Sequence, residues 1–157
     1  MSRHTARETA LQMLFQMDMG GNSYETAQNT LAEANLSKKL SEFTEELVHG
    51  VCAHKPELDR LINGHSKNWH LERLSGVDRA ILRLAAYELL YTREVPPNVI
   101  INEAIELAKY FSGDEAPKFV NGVLDSILTA RDKSELDKSK LEKTELEKTE
   151  LEKTELE

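Results

Sequence analysis

The chain lacks most of what marks a secreted or catalytic protein. Cys52 is the single cysteine among 157 residues. Disulfide frameworks and multi-cysteine zinc sites are excluded within one chain, and a reducing cytoplasm is the expected setting. No run approaches the roughly 18 apolar residues that cross a bilayer. The first residues lead into an amphipathic segment instead of an apolar signal region, so no signal peptide is expected. The 7 glycines are scattered and cradle no phosphate, and there is no G-x-S-x-G or H-E-x-x-H motif. His49 and His54, like His65 and His70, stand five apart and turn to different helix faces. Cys52, beside Val51 and Ala53, reads as core filler. No catalytic residue, metal or cofactor is expected.

Charge is plentiful and must be divided. The formal net charge is -8. Residues 132–157 carry 6 basic and 10 acidic groups, and residues 1–131 carry 14 and 18. The last segment repeats LEKTE, with Leu136, Leu141, Leu146, Leu151 and Leu156 five apart. Five residues advance about 140° beyond one helical turn, so these leucines spiral and form no seam. Residues 132–157 are expected to be a solvated, helix-prone, mobile tail, and residues 1–131 the folded domain.

Within 1–131 the apolar spacing is helical throughout. Thr5 to Glu8 has capping-box spacing ahead of Ala10, Leu11 and Leu14, and Gly20-Gly21 ends that helix. Ser23 caps a second helix. Ser41 caps a third with Phe43, Leu47, Val48 and Val51 inward, and Pro56 opens a fourth. Ser75 to Tyr91 has the widest apolar arc and is expected at the centre. Pro96-Pro97 breaks the chain before a helix over 98–111, and Pro117 opens the last. Gly122 inside that helix implies a close helix–helix approach. The result is an all-α bundle of about seven helices.

Three clusters exceed what a plain bundle needs. Arg3, His4 and Arg7 put positive charge at a helix N-terminus, against the macrodipole, which a nearby anion would relieve. Lys118 and Phe119 stand in the first turn after Pro117, where a cation can pair with phosphate and an aromatic can stack on an unpaired base. On the central helix, Asp78, Arg79, Arg83 and Tyr87, with Glu88, could rim a protein interface. The basic side chains from both ends of the folded part are expected to converge on one patch.

These stretches carry a resemblance. Ala6-Arg7-Glu8 with Ala10-Leu11-Gln12, VDRAILRLAAYEL at 77–89, INEAIELAKYF at 101–111 and KFVNGVLD at 118–125 are similar to the NusB family of bacterial transcription antitermination factors. The resemblance implies two three-helix subdomains. It also implies binding to the boxA element of ribosomal RNA leader transcripts, together with ribosomal protein S10 (NusE), in an RNA polymerase antitermination complex. RNA contacts would fall at Arg3, Arg7, Lys118 and Phe119, with His4 expected beside them from the local charge cluster, and S10 would face Asp78. Family members occur as monomers and homodimers. His4 and Thr5 replace part of the family's arginine run, and the LEKTE repeat lies outside its pattern. A protein-only scaffold and a detached domain of an RNA methyltransferase are the rival readings; the latter needs a downstream α/β domain.

Overall fold

The computed structural model describes residues 2–67 and 69–156. It is all helical among those residues: α1 (Arg3–Met19), α2 (Tyr24–Glu33), α3 (Lys38–His65), a 3₁₀ turn (Leu71–Arg73), α4 (Gly76–Tyr91), α5 (Pro97–Phe111) and α6 (Ala116–Leu156). The chain divides into two compact units, 1–127 and 128–157. The first contains α1 to α5 and α6 as far as Ile127.

The helix count is lower than expected for one physical reason. Pro56 opens no new helix but lies inside α3. It sits on an exposed position, where water can take the carbonyl that loses its amide partner. On the opposite face Leu47, Val48, Val51, Leu58 and Ile62 are all buried, so one apolar stripe runs past the proline. The cap of α3 is Ser37, whose hydroxyl accepts from the Leu40 amide at 3.3 Å, and not Ser41. Ser23 and Ser75 cap α2 and α4 by the same device, at 3.2 and 3.1 Å. The capping box at Thr5 does not form, because α1 begins at Arg3 with Ser2 as its N-cap. Glu8 meets the His4 ring instead.

Helix α4 is central. It packs on α1, α3 and α5, and every residue from Ala80 to Leu89 is buried. Gly50 of α3 allows that approach: a Cβ there would lie 2.0 Å from Cζ of Tyr87. Gly122 behaves oppositely. A Cβ there would meet nothing within 4 Å, so the expected close approach is absent. Gly122→Ala should therefore raise the unfolding free energy by about 0.5–1 kcal/mol, the helix-propensity difference. Urea denaturation checks this, and a loss of stability would count against the open surface. Cys52 is exposed, not core, and partial desolvation pushes its thiol above the ordinary value.

The second unit is helical through Leu156. Leu136, Leu141, Leu146 and Leu151 are exposed, as their spiral spacing requires. Thr144, Thr149 and Thr154 each donate to the carbonyl four residues back, all at 2.9 Å.

Candidate nucleic-acid interface

The N-terminal turn of α1 is built on α3, α4 and α5. The Ser2 hydroxyl accepts no capping hydrogen bond, and no acidic residue lies in the first turn. Arg3 is exposed, with its guanidinium 4.6 Å above the Phe43 ring. Arg7 lies over the same ring at 5.4 Å. The shared aromatic face holds both cations without neutralising either.

Arg7 nevertheless turns inward. It is 3% exposed and faces Glu88, which is 2% exposed. Its Nε donates to Glu88 Oε1 and Oε2 at 3.1 and 3.0 Å, and its Nη2 donates to Oε1 at 2.9 Å. Burial pushes the Glu88 carboxyl up, and the Arg7 guanidinium pulls back. Two buried charges persist only when paired and hydrogen-bonded, so Arg7 is occupied by the core and is not presented as a phosphate contact.

His4 bridges two carboxylates. Its Nδ1 is 2.5 Å from Glu103 of α5, and its Nε2 is 2.9 Å from Glu8. The Glu103 hydrogen bond is the main reason its pKa stands above 6.5; Glu8 adds to it, and desolvation opposes both. Arg3, Arg7, Glu88 and Glu94 are the other charged groups around this corner. A raised folded pKa means the imidazolium contribution to stability is complete below about pH 6.5. It is lost as pH rises through the folded value. His4→Gln should flatten that slope, and NMR titration of the His4 ring should give a midpoint above 6.5. A midpoint at or below 6.5 would overturn the bridge.

Between this turn and the α4–α5 connection lies an open cavity of about 440 Å³. Val95, Pro96 and Val99 form its apolar side, and Arg3, Glu94 and Glu103 stand at its polar rim.

At the second cluster, Lys118 is exposed and Phe119 half-buried in the first turn of α6. The Ser112 hydroxyl donates to Asp78 at 2.7 Å, so the end of α5 lies at the first turn of α4. Arg7 meets Glu88 while Asp18 meets Arg79 at 2.8 Å, so α1 runs antiparallel to α4. The N-terminal cluster and the entry to α6 are therefore anchored at opposite ends of α4. Asp78 and Glu88 are about 15 Å apart along that axis, at 1.5 Å per residue. The single convergent patch expected from sequence becomes two clusters.

The expected protein-interface residues are largely engaged within the chain. Arg83 is 7% exposed and grips Asp59 through Nε and Nη2 at 2.7 and 3.0 Å, with Asp18 at 3.4 Å. Arg79 pairs with the same Asp18. Tyr87 is buried against Gly50 and stacks with Tyr91 at 5.3 Å between ring centroids. Arg83 and Tyr87 are thus core-facing rather than a solvent rim, because acceptors from α1 and α3 and a glycine gap draw them in. Asp78 and Arg79 are half-buried. Sequence reasoning missed Asp18, Asp59 and Glu103 as partners, and placed Phe43 in the core rather than beneath two arginines. Alternation of acids and bases between distant helices was the only available signal, and it does not specify pairing.

An all-α body with a cation-and-aromatic cluster at each end of its central helix defines a small helical binding protein. The model described as NusB family matches residues 4–129, and the chain belongs to that family. It is 53% identical over 130 residues to the transcription antitermination protein NusB of Bacillus velezensis, covering 82% of this chain and 97% of the relative. The protein of the same name from Bacillus subtilis strain 168 is 52% identical over 135 residues, covering 85% and 100%. Among solved structures, T. maritima NusB superposes with a TM-score of 0.74 at 35% identity, covering 82% of this chain and 92% of that one. A structure of the antitermination factors NusB and NusE in complex with double-stranded RNA gives 0.75 at 32% identity, covering 82% and 96%. No helix of the described residues is long and apolar enough to cross a membrane.

Proposed function

We propose that this chain is a cytoplasmic transcription antitermination factor. It binds boxA RNA of ribosomal RNA leader transcripts jointly with ribosomal protein S10 (NusE), within an RNA polymerase antitermination complex. The observation that carries the reading is the likeness, over nearly the whole folded unit, to a protein solved with NusE and RNA. The surface chemistry supports it: Arg3 and Lys118 offer exposed cations and Phe119 a partly open ring. The activity is binding without turnover. Phosphates hold the strand by charge, and bases of a single strand stay available for reading. Arg7 serves as a positioning residue, since its charge is spent on Glu88. Asp78 and Arg79, at the other end of α4, mark the S10-facing side.

Titration of a labelled boxA oligonucleotide with and without S10 tests the assignment; no binding in either arm overturns it. Arg3→Ala and Lys118→Ala should each weaken binding and reduce the slope of log affinity against log salt by about 0.7, one single-strand phosphate each. Slopes that do not change in either variant would remove these residues from the RNA contact.

A further inference from the structure

We infer that the groove between the first turn of α1 and the α4–α5 connection holds one unstacked nucleotide of the bound RNA, base inward and phosphate outward. The inference rests on the RNA-binding reading above and adds a base-reading site to it.

A nucleotide is flat and apolar on its base faces, polar at the base edge and anionic at one end. The groove offers those properties in the same arrangement. Its volume of about 440 Å³ lies within the range of small-molecule sites. Val99 is 39% exposed in the first turn of α5, where helix packing does not require an apolar side chain. With Pro96 and the buried Val95 it makes an apolar surface for a base face. Arg3 stands at the mouth, steadied on Phe43 at 4.6 Å, and suits a phosphate held just outside.

The rim also restricts what enters. His4, Arg7, Glu94 and Glu103 also line the groove. His4 and Arg7 are already paired with carboxylates, which leaves Glu94, among the described residues, as the charged group inside without such a partner, and it disfavours a second phosphate there. Glu103 is committed to His4. Glu94 is exposed, and a carboxylate there accepts from an amino group on a base edge, as carboxylates do towards cytosine. Adenine, cytosine and guanine carry such a group and uracil does not. The opening lies between the first turns of α1 and α5, which suits a splayed base of a single strand and not a stacked duplex.

The test uses the full chain with S10 and a labelled boxA RNA in which each position is replaced in turn by an abasic nucleotide. Wild type should show one position, normally an amino-bearing base, whose removal weakens binding roughly 5- to 100-fold, the range of base stacking on a protein surface. Val99→Asp, on an exposed position, should weaken binding to intact RNA by a similar factor and abolish the sensitivity at that one position. Replacing that base with uracil should cost affinity in wild type and much less in Glu94→Gln. A flat abasic profile with RNA binding intact overturns the groove and leaves the RNA assignment standing. Unchanged RNA binding by Val99→Asp with weakened S10 capture assigns the groove to protein and also overturns the inference. No RNA binding by wild type overturns both.

Discussion

Replacing Arg7 with alanine should lower the unfolding free energy by about 3–5 kcal/mol, the cost of breaking a buried ion pair from one side. Arg3→Ala should cost well under 1 kcal/mol, since Arg3 is exposed and surface charges contribute little. The difference arises at Glu88. Glu88 is 2% exposed in the intact protein, and with Arg7 gone its carboxylate loses three donor contacts. Arg7→Lys keeps the charge but loses the planar fork, so it should fall between the two. The double variant Arg7→Met, Glu88→Leu removes both charges and should recover most of the loss, because apolar isosteres often replace a buried pair without penalty. Urea unfolding midpoints at constant m-value measure all four. The double variant also separates positioning from contact. If Arg7 only anchors α1, its RNA salt slope equals that of wild type; a slope reduced by about 0.7 would return Arg7 to the phosphate-binding set. An Arg7→Ala loss no larger than that of Arg3→Ala would sink the buried-pair account.

Arg83→Ala should destabilise by about 2–3 kcal/mol, the scale of hydrogen bonds to charged partners. Its side chain is 9% exposed, and it separates Asp59 from Asp18, which are 28% and 18% exposed. Removal takes both donors from Asp59, while Asp18 loses its weaker partner and keeps Arg79. Arg83→Gln retains a donor and should recover part of the loss. S10 binding, measured where the variant remains folded, should change little, since Arg83 faces inward. A large loss of S10 affinity with normal stability would place Arg83 at the interface after all.

The central place of α4 was legible in its own residues: Val77, Ile81, Leu82, Leu84, Ala85, Leu89 and Leu90 make a wide apolar arc, and Ser75 three residues before Asp78 fixes its start. The stop at Gly20 and the break at Pro96-Pro97 were equally local. Pro56 was misleading because local rules treat proline as a helix opener. Whether a helix continues past it depends on a buried stripe on both sides and an exposed carbonyl, which are properties of packing. Gly50 and Gly122 look alike in sequence; one admits a tyrosine ring and the other faces solvent.

The amino-acid order alone determined that this chain is helical, that its last segment has no seam, and that its motifs are those of NusB proteins, because helix period and motif spacing are short-range properties. Only the tertiary structure decided which charges are available. Arg3 and Arg7 share a helix, a sign and a neighbouring ring, yet Glu88, 81 residues away from Arg7, draws one into the core and leaves the other in water. Electrostatic attraction acts through space at a few ångströms, and separation along the chain does not record it.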